Sequence, residues 1–253
     1  MNYMGIDIGS TYVKTVIIDD SKEILYKNMR LTGWNSVTTA NELYEEIKEL
    51  PFYSPELFIT ATGYGRNSVA YAARTMTEIT CHAIGAREIF DSERALIIDV
   101  GGQDTKVVSI VDGFVNDFVM NDKCAAGTGR FLEVMAGSLN MTTDEMCELA
   151  KEGSGIEINS LCAVFAESEV IGLIGKGTPK EDIAFGIVDS IARKVKTQCS
   201  KMRRGNEKIF LTGGLSDNKV FLELLSKRMS ASIVSNELGR YAGALGAALV
   251  GME

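Results

Sequence analysis

Apolar residues in this 253-residue chain follow two spacings, the short runs of buried strands and the three-to-four-residue spacing of helices. In the first part of the chain the pattern predicts strands at 3–8, 12–18, 23–29 and 57–62, and helices at 36–50 and 78–90. The helix at 36–50 has Leu43, Ile47 and Leu50 on one face, and Pro51 would end it.

The pattern starts again after a polar stretch at 91–94. It predicts a strand at 95–100, hairpin strands that continue to about 119, and further strands at 209–212 and near 232–235. The helices are predicted at about 125–139, at 142–152, after Cys162, and at 181–203, 217–229 and 241–250. Short strands that alternate with helices are typical of α/β domains. We therefore predict an α/β protein with two halves, 1–92 and 93–237, in which residues 238–253 complete the first half.

Composition narrows the class of protein. The net charge of −8 argues against nucleic-acid binding, and no apolar run approaches the roughly 20 residues that span a bilayer. The first residues lack the basic and then apolar pattern of a secretion signal, so we expect a cytoplasmic protein with no membrane partner. In that compartment its five cysteines are thiols or metal ligands rather than disulfides. A single histidine, His82, argues against histidine-rich metal sites.

One pattern occurs twice, with a spacing of 92 residues. The copies read Ile-Asp-Ile-Gly-Ser-Thr-Tyr-Val-Lys-Thr-Val at 6–16 and Ile-Asp-Val-Gly-Gly-Gln-Asp-Thr-Lys-Val-Val at 98–108. Asp7 and Lys14 correspond to Asp99 and Lys106. Glycine lets backbone N–H groups approach phosphate oxygens, and carboxylates can order Mg²⁺ and water. The duplication therefore predicts a nucleotide cleft between two related halves, although one such turn alone also occurs in ordinary hairpins.

A third glycine element, Thr212-Gly213-Gly214, follows a predicted strand, where the backbone could pass close to an adenosine. The chain has neither a Walker A loop nor a Gly-x-Gly-x-x-Gly fingerprint. The three elements, in this order, resemble the superfamily of actin, Hsp70 ATPase domains and sugar kinases.

That resemblance implies two ribonuclease-H-like domains with ATP or ADP between them. Asp7 would lie near the Mg²⁺-bound phosphates, and Gln103 and Asp104 would sense the γ-phosphate and the attacking water. The nucleotide contacts that the resemblance implies are Gly9, Ser10, Thr11, Tyr12, Val13, Lys14, Asp99, Gly101, Gly102, Gln103, Gly127, Gly213, Gly214 and Gly243.

Cys124 and Cys162 each stand where a helix is predicted to start. The partial positive charge of a helix N-terminus stabilises thiolates and anionic ligands, and an iron–sulfur cluster is such a ligand. A cluster usually needs four thiolates, which a two-fold dimer would supply. Spacing alone favours two structural thiols instead. Cys81, Cys147 and Cys199 are interpreted as structural.

The segments around these cysteines carry a closer resemblance. They read Gly-Gly-Gln-Asp-Thr-Lys at 101–106, Met-Asn-Asp-Lys-Cys-Ala-Ala-Gly-Thr-Gly-Arg-Phe at 120–131 and Cys-Ala-Val-Phe-Ala-Glu-Ser-Glu-Val at 162–170. They are similar to activators of 2-hydroxyacyl-CoA dehydratases and to ATPase subunits of benzoyl-CoA reductases, and the similarity runs over about 4–249.

This second resemblance implies a homodimer that shares one oxygen-sensitive 4Fe–4S cluster, held by Cys124 and Cys162 of both subunits. ATP hydrolysis would drive an electron from a ferredoxin or flavodoxin to a separate iron–sulfur dehydratase or reductase. Glu167 or Glu169 would tie the cluster helix to the ATP site, or would lie on a solvated face. Two alternatives remain open, a small-molecule kinase without a cluster and an actin-like scaffold that polymerises on ATP.

Overall fold

A computed structural model of the chain describes residues 1–121, 124–159, 162–202 and 207–253. The strands are β1 (Tyr3–Ile8), β2 (Tyr12–Ile18), β3 (Ile24–Leu31), β4 (Phe58–Thr62), β5 (Arg74–Thr75), β6 (Ala95–Val100), β7 (Thr105–Val111), β8 (Phe114–Asn121), β9 (Lys208–Gly213) and β10 (Ile233–Ser235). The helices are α1 (Ser36–Lys48), α2 (Glu78–Phe90), α3 (Gly129–Ser138), α4 (Thr143–Leu149), α5 (Ala163–Gly175), α6 (Lys180–Ser200), α7 (Lys219–Met229) and α8 (Ala242–Gly251).

These elements form two compact units. The first contains Met1–Arg94, Ile110–Asn116 and Leu238–Glu253, and the second contains Ala95–Ser109 and Asp117–Glu237. The sequence prediction placed all of 93–237 in one half, which is wrong for the hairpin tip Ile110–Asn116. This tip groups with the first unit because Gly113 N donates to Glu93 O at 2.9 Å and Arg87 Nη1 donates to Gly113 O at 3.3 Å.

The first unit is built on a sheet with the strand order β3-β2-β1-β4-β5. Its middle strand β1 runs antiparallel to β2 and parallel to β4. The side chains of β1 from Met4 to Ile8 are buried, as the apolar run predicts for a central strand. α1 covers the sheet with Ala40, Leu43 and Ile47, and its N-cap Asn35 accepts from two backbone N–H groups of the first turn.

Close backbone approach holds α8 against β1 and α2 in the first unit. An added Cβ at Gly5 would lie 1.8 Å from Ala244 O, and one at Gly85 would lie 1.9 Å from Ala242 O. At Gly246 it would lie 1.7 Å from Cys81 O. Because no side chain fits at these crossings, the small-residue sequence of α8 is a packing requirement of the first unit.

The second unit has the strand order β10-β9-β6-β7-β8, with β9 parallel to both β6 and β10. Helices α3 to α7 contribute to one apolar core with this sheet. Inside it, the fully buried Asp189 of α6 is paired with Arg193 of the same helix at 3.2 Å and with Arg228 of α7 at 2.8 Å. This pairing compensates for the cost of burying the carboxylate.

Most predicted strands and helices match the observed ones within a few residues, but α3 does not start at 125. Gly127 has a φ of +92°, and Thr128 Oγ1 donates to Ala125 O at 2.6 Å, so 125–128 form a non-helical loop. The predicted end of α6 at Arg203 lies outside the described residues. Among the residues that the structure describes, no helix is long and apolar enough to cross a membrane.

Replacing Gly246 by Ala is expected to lower the free energy of unfolding by about 3 kcal/mol, because the new methyl group would overlap Cys81 O. The control is Gly137→Ala on α3, where nothing lies within 4 Å of an added Cβ and helix propensity should add up to about 1 kcal/mol. Urea denaturation measures both. Equal stability of the two variants would contradict the packing constraint.

Candidate functional site

The first glycine turn joins β1 to β2 in the first unit. Asp7 lies opposite Lys14 in the strand pair, and Lys14 Nζ is 3.8 Å from Asp7 Oδ2. Gly9 N donates to Tyr12 O at 3.1 Å, which closes the turn, and a Cβ at Gly9 would lie 2.8 Å from the same oxygen. Thr32 Oγ1 donates to Gly9 O at 2.7 Å and so fixes the orientation of the turn's first peptide plane.

Two further glycines pack directly against the carboxylate of Asp7. A Cβ at Gly63 would lie 2.4 Å from Asp7 Oδ1, and one at Gly243 would lie 2.8 Å from Asp7 Oδ2. Oδ1 is buried and has no hydrogen-bond partner among the described residues. A buried carboxylate oxygen without a donor is costly, and a hydrated Mg²⁺ would supply the missing partner. The geometry around Asp7 therefore fits the predicted ion.

The second glycine turn joins β6 to β7 in the second unit and repeats the first. Gly101 N donates to Asp104 O at 2.9 Å. The lysine differs in its surroundings, because Lys106 is only 2% exposed, with Nζ 2.7 Å from Asp104 Oδ1 and 3.4 Å from Asp99 Oδ2. Lys106 therefore stabilises two carboxylates inside the unit, whereas the side chain of Lys14 is 18% exposed.

Both copies of the Asp-Gly turn are also accompanied by a Thr-Gly pair on the neighbouring strand, and the sequence prediction assigned only one of these pairs to the nucleotide site. Thr212 lies opposite Asp99, and a Cβ at Gly213, where φ is +83°, would be 2.3 Å from Asp99 Oδ1. In the first unit Thr62 lies opposite Asp7, and Gly63 has a φ of +86°.

The sequence prediction included Gly213 and missed Gly63. The signal was the same Thr-Gly dipeptide at the end of an apolar strand in both halves.

The predicted nucleotide residues fall into two groups, one in each unit. The first group is Asp7, Gly9, Ser10, Thr11, Tyr12, Val13, Lys14 and Gly243, and the second is Asp99, Gly101, Gly102, Gln103, Asp104, Gly127, Gly213 and Gly214. Val13 is fully buried in the core of the first unit, so its side chain cannot face a ligand. Gln103 is exposed, whereas Asp104 is engaged by Lys106.

The cysteines divide by exposure. Cys124 and Cys162 are exposed, whereas Cys81, Cys147 and Cys199 are buried. Burial raises the pKa of Cys81 to about 11 and the pKa of Cys147 to about 12, which disfavours the thiolates. Of the five cysteines, all of which the structure describes, only the two that were predicted to bind metal are exposed.

Cys162 is the N-cap residue of α5, as predicted. Its backbone is extended, its carbonyl accepts from Ala166 N at 2.9 Å, and its side chain makes no capping bond. The prediction that Cys124 also starts a helix is wrong, because a loop separates it from α3. The first N–H groups of α3 donate to the second glycine turn, from Gly129 to Gly101 O at 2.9 Å and from Arg130 to Gly102 O at 2.7 Å.

The ammonium group of Lys194 interacts electrostatically with both exposed thiols. A Cβ at Gly127 would lie 3.3 Å from Cβ and Cδ of Lys194 on α6, so the lysine stem passes beside the loop that follows Cys124. Burial lowers the pKa of Lys194, and Cys124 and Cys162 act in the opposite direction. Two soft thiols near one cation fit a negatively charged, thiolate-ligated group.

The two glutamates of α5 have defined partners. Glu167 Oε1 accepts from Ser138 Oγ at 3.2 Å, at the end of α3. Glu169 accepts from Asn159 N at 3.2 Å, in the segment that precedes Cys162. These bonds tie α5 to α3 and to its own entry segment.

Duplicated Asp-Gly turns on two α/β units are the signature of the actin, Hsp70 and sugar-kinase class. The model of the BadF/BadG/BcrA/BcrD ATPase family matches residues 4–251. The chain therefore belongs to this family, and the resemblance predicted from its motifs is confirmed.

Similar proteins extend this result. The (R)-2-hydroxyglutaryl-CoA dehydratase activating ATPase of Acidaminococcus fermentans is 41% identical over 249 residues, which cover 97% of this chain and 95% of that protein. The crystal structure of component A of the (R)-2-hydroxyglutaryl-CoA dehydratase of the same organism is 39% identical and has a TM-score of 0.92 over 100% of this chain and 98% of that chain.

The activator of the 2-hydroxyisocaproyl-CoA dehydratase of Clostridium difficile, solved with bound ADPNP, is 34% identical. Its TM-score is 0.88, over 100% of this chain and 94% of that chain. A ROK family glucokinase from Streptomyces griseus, 15% identical with a TM-score of 0.62, covers 99% of both chains and shares the fold alone. The predicted fold class is confirmed.

Thiol titration tests the exposure of the cysteines. In native protein at pH 8, about two thiols per chain should react rapidly with an aromatic disulfide reagent, and all five should react after denaturation. A thiol with a pKa near 11 is about 0.1% thiolate at pH 8, and burial slows it further. Rapid reaction of three or more thiols in folded protein would contradict the assignment.

Proposed function

We propose that this chain is the ATP-dependent activator of a separate iron–sulfur enzyme of the 2-hydroxyacyl-CoA dehydratase or benzoyl-CoA reductase type. The observation that carries the proposal is the duplicated turn, in which Asp7 and Asp99 each lie between a glycine turn and a Thr-Gly pair. The ADPNP bound to the Clostridium difficile activator supports ATP as the nucleotide.

In this proposal, Asp7, Lys14 and Gln103 have separate roles in binding and hydrolysing ATP. Phosphoryl chemistry depends mainly on positioning and on charge stabilisation, so carboxylates, backbone N–H groups and Mg²⁺ suffice. Asp7 would order Mg²⁺ through its unpartnered oxygen, and Lys14 would face the phosphates. Gln103 is the better candidate to position the attacking water, because it is exposed while Asp104 is held by Lys106.

The exposed thiols support a shared 4Fe–4S cluster. Cys124 and Cys162 supply two of the four thiolates, and a second copy of the chain would supply the other two. A bound cluster would accept and release one electron at a time. The residues of this chain would hold it at the surface, with the ammonium of Lys194 near both thiols.

The surface of α5 supports a homodimer. Val164, Phe165 and Ile171 are exposed by 66%, 68% and 59%, and their spacing places them on one side of the helix. Because Cys162 caps α5, a second copy related by a two-fold axis near Val164 and Phe165 would bring its own Cys162 close to the first. The same contact would cover the apolar side chains and complete the set of thiolates.

The electron would come from a ferredoxin or flavodoxin and would go to the partner enzyme, which is where the acyl-CoA reacts. Nothing in this chain needs to contact that substrate. None of the five cysteines forms a disulfide in the described structure, which fits a reducing, cytoplasmic location and an oxygen-sensitive cluster.

Metal analysis tests the cluster. Anaerobically prepared protein should contain about four iron and four sulfide per dimer, and Cys124→Ser should lose them because one thiolate in each subunit is removed. The control, Cys147→Ala, removes a buried thiol and should keep the cluster. Absence of iron from the parent protein after reconstitution would contradict the activator proposal and favour a kinase.

A second experiment tests the nucleotide site. Gly63→Ala should weaken ATP binding at least about tenfold, or 1.4 kcal/mol, because the new Cβ would displace Asp7 Oδ1. Gly155→Ala is the matched control, since Gly155 also has a positive φ, of +75°, but has nothing within 4 Å of an added Cβ. Isothermal titration calorimetry gives both affinities, and equal values would exclude this position from the site.

A further inference from the structure

We infer that α3 transmits the state of the nucleotide from the second glycine turn to both exposed cysteines, and that Thr105 is the positioning residue for Cys124. The inference rests on the proposed function, because it takes the second turn as a phosphate contact. Its basis is a continuous path of hydrogen bonds inside the second unit, from Gly101 to the two cysteine segments.

The path starts in the peptide planes of the turn. The carbonyl of Gly101 and the N–H of Gly102 belong to one planar trans peptide and point in opposite directions. The carbonyl of Gly102 and the N–H of Gln103 form the next plane. In the described structure both carbonyls accept from the start of α3, so both N–H groups point away from that helix. A phosphate bound by these N–H groups would therefore share both peptide planes with the start of α3, so a rotation of these planes on binding would move the acceptors of the helix.

The start of α3 has unusual caps. Thr128, its N-cap residue, makes no side-chain capping bond, because its hydroxyl donates to Ala125 O. The donors of Gly129 and Arg130, which a side chain or water commonly satisfies, are instead satisfied by the second glycine turn. A Cβ at Gly129 would lie 3.3 Å from Gly101 O, a tight contact that glycine avoids. The end of the helix is thus fixed to the turn.

A second bond fixes the loop that carries Cys124. Thr105, the first residue of β7, is fully buried, and its Oγ1 donates to Gly127 O at 2.6 Å. From the end of β8, Asn121 Nδ2 also donates to Cys124 O at 3.0 Å and to Ala126 O at 3.2 Å. Thr105 follows the turn immediately, so a shift of the turn would reach the Cys124 loop through this hydroxyl.

The other end of α3 leads to Cys162. The Ser138 hydroxyl lies 3.2 Å from Glu167 Oε1 of α5 and 3.2 Å from Val134 O of its own helix, so its one proton is shared between the two acceptors. α5 is the helix that Cys162 caps. Phe131 and Leu132 of α3 share the core of the second unit with Ala166 and Val170 of α5. A movement of α3 as a rigid helix would therefore shift both cysteine segments, one at each of its ends.

Alkylation rates test this path in the full-length, cluster-free protein, so the test does not depend on iron. The rates of Cys124 and Cys162 with iodoacetamide are measured by peptide mass spectrometry, with and without ADPNP and Mg²⁺. In the parent protein ADPNP should change the rate of Cys124 at least about fivefold, the lower end of usual allosteric couplings. Calorimetry gives the ADPNP affinity of every variant independently.

Thr105→Val should bind ADPNP but lose the effect of ADPNP on Cys124, and Thr105→Ser should restore it because the hydroxyl is kept. The matched control is Thr128→Val, which removes a hydroxyl bond of equal length inside the loop but leaves the bond from β7. Thr128→Val should keep the fivefold effect. A full effect in Thr105→Val would overturn the role of Thr105.

Ser138→Ala keeps the inference testable if Thr105→Val does not fold, because Ser138 lies near the surface. It should reduce the effect of ADPNP on Cys162 and leave the effect on Cys124. An unchanged effect on Cys162 would overturn the α3 path to α5. If the parent protein binds ADPNP but neither cysteine changes its rate, the whole inference is overturned while nucleotide binding stands. If the parent protein does not bind ADPNP, the proposed function is rejected as well.

Discussion

The geometry of the candidate site depends on two glycines, because a residue with a Cβ atom does not fit at either position. Gly63 and Gly213 hold their backbones against the carboxylates of Asp7 and Asp99 at a distance that no other residue permits. Each aspartate stands at the end of a buried strand, so its position is set by the core of its unit and not by a flexible loop. Phosphoryl chemistry needs this kind of rigid positioning, since pre-organised charge contributes more than any single reactive group.

The two glycine turns have similar backbones but differ in the hydrogen bonds that fix them. The carbonyl of Gly9 accepts from the hydroxyl of Thr32, which follows β3 in the same sheet. The corresponding carbonyl of Gly101 accepts from the start of α3. The first turn is therefore attached to its own sheet, while the second is attached to a helix with a cysteine segment at each end. The two turns are therefore similar in sequence and backbone, but among the described residues only the second is hydrogen-bonded to a helix.

The strands and helices could be predicted from sequence because apolar spacing reports burial directly, as the matching bounds of β6 and α2 show. The duplicated Asp-Gly turns could be predicted because both copies keep one spacing. The start of α3 could not, because a hydrogen bond from Thr128 and the backbone of Gly127 oppose a helical sequence. Gly63 was overlooked because its contact with Asp7 joins strands that are distant in sequence.

The position of α8 has a consequence for biosynthesis. Gly5 of β1 packs against Ala244, and Gly85 of α2 packs against Ala242, so β1 and α2 leave the ribosome before the helix that covers them. Residues 95–109 and 117–237 contain a complete sheet and core before that helix is made. The second unit can therefore fold first, while β1 and α2 wait as nascent chain with exposed apolar surface, the condition in which chaperones act on a protein.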